Sequence, residues 1–587
     1  MKRFYYSILA MFLFGTTEAQ HLKVSPSSTI IAAESARFVK SEEFSLPCLG
    51  SRKASDVTNP WMRSVSSGRV IHGAPNKSAL DLRKEEKTRN KFQNSQREPQ
   101  PEVTNALATT PSLGTNFLGN ELFGGTPSDN SMAVSNAGII VSADNSTMEV
   151  YDGNAQNPYL FTLTGHSDFF SFLNPAPTGN IYDPKVLYDS GSDRFIYLIL
   201  HGTSSQQSEL LICFSQSNNP AQDGWWVYRI QANQAHPGSW FDYPNIGVSN
   251  NEFYVSGNMF TDAGQNSGNI IFQIEKNACY QGQNINYQYW TEVAHQNETA
   301  FTIVPVSFGQ QGNYGPGIYL VANETSEPSD RIFLFDLTND MSSNNETINT
   351  FAVSTSAFDV GGYAAQNSSN TLLDIGDNRI QNGFYMNGKI HMVFTSDIGQ
   401  GWNGINYNRI DLNGLSVQQS TYGLAGSYDY CYPAVASSGS TINDQSVIIG
   451  FLRSGQDIFP EFRAVNCDHS MQWSNSVLIK QGQDDVNIGG QSPDRWGDYS
   501  GIGRQNGANR TVWAAGCYGM SGNSWGVNNG WNTWVAKLAD GGSPASVNQL
   551  QSSSPLRVYP NPTIERFSIE FELLERMDVD VNIYDAN

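Results

Sequence analysis

The sequence predicts an all-β fold: a β-propeller of seven blades, with six as the alternative count, and a small partial β-sandwich at the C-terminus. Three observations predict it. Aromatic residues make up 12% of the 587 residues and charged residues only 15%, alongside 53 glycines. That composition suits short strands joined by tight turns, because glycine supplies the positive φ that turns need. Between residues 114 and 540 there is no convincing helix-period stretch, only short apolar runs punctuated by Gly, Asn, Asp and Ser. A degenerate motif also recurs there at intervals of about 54 to 72 residues, room for three or four strands per unit.

In chain order, Lys2 and Arg3 precede an apolar run from Phe4 to Phe14, and Thr17-Glu18-Ala19 offers small residues where a signal peptidase reads. Residues 1–19 are therefore expected to be a secretory signal. Residues 20–112 read as a flexible polar extension. From Asp81 to Glu102 it is dense in charge with no sustained apolar period, the pattern of a solvated linker or frayed helix.

Residues 113–540 carry the strand signals, for example Phe195-Ile196-Tyr197-Leu198-Ile199-Leu200 and Val447-Ile448-Ile449-Gly450-Phe451. The repeat opens with a polar or acidic residue, often beside an aromatic and a proline. It is clearest as Tyr182-Asp183-Pro184-Lys185-Val186 and Phe241-Asp242-Tyr243-Pro244-Asn245-Ile246. Ser128-Asp129-Asn130-Ser131-Met132-Ala133-Val134 is the first copy, and weaker copies begin near Val304, Asp377, Tyr432 and Asp498. Radially arranged sheets leave only short edges, which favours a propeller over a pair of β-sandwiches; a parallel β-helix would need shorter repeats. Residues 541–555 are a Ser/Gly/Gln-rich linker, and 556–587 alternate as half-buried strands do.

The net charge of −21 repels phosphate backbones and excludes nucleic acid as an expected partner. No other segment is apolar for long enough to span a membrane as a helix. The six cysteines are scattered with no CxxC pair; Cys213 with Cys279 and Cys431 with Cys467 are the sequence-near pairings, weighed equally against buried free thiols.

Two resemblances follow from these residues. Leu556-Arg557-Val558-Tyr559-Pro560-Asn561-Pro562, followed by alternating Phe567, Ile569 and Phe571, resembles part of the C-terminal sorting domain of the type IX (Por) secretion system of Bacteroidetes-type bacteria. It implies Tyr559, Pro560, Asn561 and Pro562 as the sorting motif, the type IX machinery as a partner, and a secreted or cell-surface location. The runs at 182–189 and 240–244, Asp223-Gly224-Trp225-Trp226 and Ser492-Pro493-Asp494-Arg495-Trp496-Gly497-Asp498-Tyr499 resemble secreted bacterial propellers loosely related to the sialidase superfamily. That family grips a carboxylate with three arginines and uses a tyrosine nucleophile. Only Arg379 and Arg495 stand at repeat starts here, and the family's Asp-box is absent as a clean motif.

If each repeat start opens an inner strand, Asp129, Asp183, Asp242, Asp377, Arg379, Tyr432, Arg495 and Asp498 converge. Asp242, Asp498, Arg379, Arg495 and Tyr432 are the catalytic candidates, and Asp129, Asp183, Asp242, Asp377, Trp240 and Trp496 the binding candidates. Calcium is expected, if anywhere, at Asp183, Asp242 and Asp498, since carboxylate oxygens suit it. The plainer expectation for any one Asp is that it caps its own turn, and for the tryptophans that they pack in the core. Gly522-Asn523-Ser524-Trp525-Gly526 has nucleophile-elbow spacing but lies in a Gly/Asn-rich stretch with no helix after it, so it is read as chance. With no complete catalytic set, the sequence favours a binding or adhesion module for glycan or protein; the alternative is a glycan-active hydrolase using the converging carboxylates.

Overall fold

The computed structural model describes residues 34–57, 73–93, 107–123 and 127–541 apart from 165, 326, 491, 524 and 525, together with 557–559 and 568–570. The expected signal, most of the expected sorting motif, and Ser524 and Trp525 lie outside them. The chain divides into two units, Met1–Gly541 and Gly542–Asn587. Among the described residues no helix is long and apolar enough to cross a membrane.

The first unit is almost entirely β. Seven sheets carry four to seven strands each, and most are meanders of sequential antiparallel strands. Their leading strands are Ser131–Val134, Ile181–Asp189, Ser239–Val248, Val304–Pro305, Asn382–Met386, Tyr428–Ser437 and Gly501–Arg504. The last of these sheets is completed by Ser112–Glu121, which pairs with Gly530–Ala539.

The apolar runs do not alternate with polar residues because their strands are buried on both faces. In Arg194–Ser204, Phe195, Tyr197 and Ile199 pack with Val141, Ala143 and Val150 of the preceding sheet. Ile196, Leu198 and Leu200 pack with Val255, Ile270 and Phe272 of the following one. Successive side chains point to opposite faces, so one strand feeds two interfaces. The contact between sheets is close where glycine allows it: a Cβ at Gly501 would lie 2.6 Å from Met132 Cβ. Trp513, Val535 and Tyr151 join the last sheet to the first.

The propeller expectation is corrected here. Among the described residues no sheet is closed or strongly curled; each is a separate open sheet. A repeat of about 60 residues specifies a four-stranded meander, and the strand count alone does not fix how meanders are arranged. The partial β-sandwich is corrected with it: in the second unit the described residues form one antiparallel pair, Arg557–Tyr559 with Ser568–Glu570.

The N-terminal stretch also differs from the flexible extension expected. Glu34–Ser35, Arg37–Lys40, Phe44–Leu46 and Gly50–Arg52 add onto outer strands of three neighbouring sheets, covering edges that would otherwise offer unpaired backbone. Lys77–Gln93 forms helix α1, whose buried residues are Leu80, Lys84, Thr88 and Lys91. These share one face at helical spacing, but two are lysines, so the seated face carries no apolar period. All six cysteines are free thiols, five of them buried, and neither sequence-near disulfide forms.

Candidate functional site

The site begins in the backbone. Asp129, Asp183, Tyr243, Thr302 and Tyr432 each stand at or just before the leading strand of a successive or later sheet, with φ of 43°, 52°, 56°, 52° and 49°. Left-handed backbone is costly for a residue with a Cβ, about 1–2 kcal/mol, least for Asp and Asn. At three of these places the ladder slips, between Tyr182 and Lys185, Asp242 and Asn245, and Cys431 and Ala434. A bulge of this kind turns a side chain out of the pleat, and here the turned side chains come together.

Asp129, Asp183, Asp242 and Asp498 are at most 4% exposed. The Asn145 amide ties two of them: its Nδ2 donates to Asp129 Oδ2 at 2.6 Å, and its Oδ1 accepts from the Asp183 backbone N–H at 2.7 Å. The Oδ1 atoms of Asp129, Asp183 and Asp242 are buried without a hydrogen-bond partner among the described residues. Burial first, then the neighbouring carboxylates, pushes all three acids well up from the usual range: Asp498 and Asp183 act on Asp129, Asp242 and Asp498 on Asp183, and Asp498 on Asp242.

Three cations face them. Arg495 is ion-paired with Asp498. It is positioned by a short parallel pairing in which Asp374 lies opposite Arg495. Lys185 Nζ sits 3.1 Å from the Tyr499 ring centroid and 5.7 Å from that of Tyr243. Burial pulls its pKa down, against the opposing pull of Asp183, Asp129 and Asp498. Arg379 lies 4.3 Å over the Tyr243 ring. Its Nε and Nη2 donate to the two oxygens of Asp377 at 2.8 and 2.7 Å.

The phenols are committed elsewhere. The hydroxyl of Tyr243 donates to Asp498 O at 3.1 Å, that of Tyr499 to Pro184 O at 3.1 Å and that of Tyr432 to Asp374 O at 3.0 Å. Burial also pushes the Tyr432 hydroxyl well above its ordinary range, so it is poorly suited to be a nucleophile. Lys185 and Tyr499 also line a cavity of about 210 Å³ to which all seven leading segments contribute.

The structure thus brings together Asp129, Asp183, Asp242, Asp498, Arg495, Arg379 and Tyr432. It assigns Asp377 to holding Arg379. Trp240 and Trp496 are core residues: Trp240 packs 5.7 Å from Phe260 with its Nε1 donating to Thr261 O, and Trp496 is fully buried. Neither offers a face for sugar stacking. Among the described residues no group of three or more His, Cys, Asp or Glu is placed to hold a metal ion. The calcium expected at Asp183, Asp242 and Asp498 finds no such group there; the charges facing those acids are Arg495, Lys185 and Arg379. Sequence reasoning missed Lys185, Tyr243, Tyr499 and Asn145. The signal for two of them was the proline in Asp183-Pro184-Lys185, Tyr243-Pro244-Asn245 and Tyr432-Pro433-Ala434, which marks the bulge. Aligning the repeats on it makes Tyr243, not Asp242, the counterpart of Asp183.

No protein-family model matches this sequence, and no curated protein matches it. Among solved structures the chain is similar to Trypanosoma rangeli sialidase in complex with the inhibitor DANA, at 10% identity and a TM-score of 0.31, over 60% of this chain and 54% of that one. It is similar to an endo-arabinase from Bacteroides thetaiotaomicron at 12% identity and a TM-score of 0.26, over 48% and 92%. A thermostable family-43 glycoside hydrolase stands at 14% and 0.27, over 49% and 89%. The chain spans about half the length of the sialidase. Similarity this distant assigns no family, and the resemblance to sialidase-like propellers drawn from the sequence is corrected on the open sheets.

Proposed function

We propose that this protein is a glycan-active hydrolase that works with the converging carboxylates. One observation carries the reading: three buried aspartates whose outer oxygens have no protein partner are crowded against an Arg495–Asp498 ion pair. Like charges gathered in a buried site do not all ionise, so the cluster holds protons near neutral pH. An acid of this kind protonates a leaving glycosidic oxygen, while the carboxylate paired with Arg495 serves as nucleophile or base. Asp242 or Asp183 is the acid in this scheme, and Asp498 the anion. Sugar hydroxyls would satisfy the unpartnered oxygens. Trp240 and Trp496, both buried, offer no stacking surface to a binding module.

The location belongs to the same proposal. The secretory pattern at the N-terminus and the sorting motif near Tyr559 support export through the type IX machinery, which brings the site to extracellular glycans.

The test is a panel of chromogenic glycosides and oligosaccharides offered to the wild type and to Asp242→Asn, Asp183→Asn and Asp498→Asn. Turnover that falls by about 100-fold or more in Asp242→Asn or Asp183→Asn, and in Asp498→Asn, supports the assignment. Binding of a glycan without turnover by the wild type, unchanged in all three variants, returns the protein to the binding module.

A further inference from the structure

We infer that the segment from Gly73 through helix α1 is an inhibitory strap that closes the carboxylate site and has to leave before a substrate enters. This rests on the site assigned above and adds its regulation.

The strap touches the rim at two points. At one end Gly73 O accepts from Arg379 Nη2 at 2.8 Å, and this is the guanidinium lying on Tyr243. Gly73 is pressed so close to the Phe260 ring that an added Cβ would stand 2.2 Å from it. Eleven residues later, Lys84 pairs with Asp374 and donates to Gly376 O at 2.6 Å. Asp374 is the residue that accepts from Tyr432 and lies opposite Arg495. The two anchors therefore join the Arg379–Tyr243 side of the site to the Tyr432–Arg495 side, and the carboxylates of that site are almost wholly buried.

The seat is built for this helix and is polar. Lys91 donates to Asp429 at 2.8 Å and to Tyr363 O at 2.7 Å with no exposure, and Lys87 meets Asp359 and Asp397 at 3.0 and 2.7 Å. Glycines open the floor: a Cβ at Gly401 would lie 2.3 Å from Lys87 O, and one at Gly362 would lie 2.7 Å from the Thr88 backbone nitrogen. The apolar contact is small, a cluster of Ala74, Leu80 and Val360. A helix held mainly by ion pairs and hydrogen bonds lacks the large apolar interface that makes an element part of the core, since apolar area is the dominant stabilising term.

The experiment reads access to the site and does not depend on turnover. The full chain is labelled with a carbodiimide and glycine ethyl ester, and modification of Asp129, Asp183 and Asp242 is followed by peptide mass spectrometry. Two variants are compared with the wild type: Lys84→Met/Lys91→Met, which removes the buried anchors, and Gly73→Ala, which leaves them and collides with Phe260. Backbone hydrogen exchange is measured in parallel. The expected result is about tenfold or greater acceleration of labelling with α1 exchanging freely while the strands of Arg194–Ser204 stay protected, which is local opening. Labelling that stays at the wild-type rate while α1 exchanges freely overturns the strap. If labelling accelerates and no glycan is cleaved by either variant, the strap stands and the hydrolase falls.

Discussion

Glu149 is a carboxyl sealed inside the first sheet, and replacing it with glutamine exposes what that burial does to stability. It is 6% exposed, and Tyr151, fully buried, donates to its Oε2 at 2.7 Å. Burial first pushes its pKa up from 4.5 to about 8, against the Tyr151 hydrogen bond. The folded state therefore holds a proton that the unfolded chain has released throughout that window. Since stability falls with pH wherever the folded state binds more protons, the contribution is fully present below about pH 4.5 and lost as pH rises towards 8. At 1.36 kcal/mol per unit, a shift of this size amounts to about 5 kcal/mol over the window. Glu149→Gln keeps an acceptor for Tyr151 and removes the titration. Near pH 5 the variant is expected to match the wild type or lose about 1 kcal/mol for its unpaired amide. Near pH 8 it is expected to be the more stable protein. Urea unfolding midpoints of both at several pH values, with the slope checked for constancy, give the difference directly, and every other titrating group cancels from it. A difference that does not change between about pH 5 and pH 8 refutes the reasoning, because it means that Glu149 binds no more protons folded than unfolded.

Gly317 has φ of +73°, and a Cβ there would lie 1.9 Å from Leu337 O, whereas Gly388 has φ of +77° with nothing within 4 Å. Gly388→Ala is expected to cost about 1–2 kcal/mol, the left-handed penalty alone, and Gly317→Ala about 3 kcal/mol or more; equal midpoints in a thermal melt would show that the strand starting at Ile318 gives way freely. The six thiols are expected to react with an aromatic disulfide reagent after unfolding without reductant, and at most Cys48, the one not buried, before it; a count below six would mean that a pair has oxidised.

The all-β character was legible from runs such as Phe195–Leu200, because a run apolar at every position and bounded by turn residues has few other uses. What those runs could not reveal is which neighbour each face meets: Phe195 and Ile196 look alike in sequence and serve different interfaces. Most of the residues that come together in the candidate site were legible as well, since a polar residue at the head of each repeat was the feature that recurred. The alignment by acidity set Asp242 beside Asp183, whereas the backbone sets Tyr243 there; the left-handed turn is a property of position, and only the following proline betrays it. The seated face of helix α1 was not legible for a physical reason. Period detection relies on apolar residues, and this helix buries Lys84 and Lys91 against Asp374 and Asp429. A seated face made of ion pairs looks in sequence like a solvated one.

The strongest alternative to a site is that each aspartate merely caps a turn, and the molecule shows what that looks like. Asp144 Oδ1 accepts from the backbone N–H groups of Ser146 and Thr147 at 2.7 and 2.6 Å, and Asp468 Oδ1 accepts from Ser470 and Gln472 at 2.8 and 2.9 Å. Such carboxylates are held by their own loops, as aspartate commonly is. Asp129 and Asp183 differ in kind. Their own backbone is in the left-handed region, Asp129 accepts from the side chain of Asn145, and the Oδ1 atoms of both are buried with no donor among the described residues. A buried oxygen without a partner costs about 1–3 kcal/mol, and the left-handed residues around it add about 1–2 kcal/mol each. Strain and unpaired charge persist where the surrounding structure holds them for a purpose other than stability. Here the leading segments of four sheets bring Asp129, Asp183, Asp242 and Asp498 together, and the proposed chemistry at Asp183, Asp242 and Asp498 rests on that convergence.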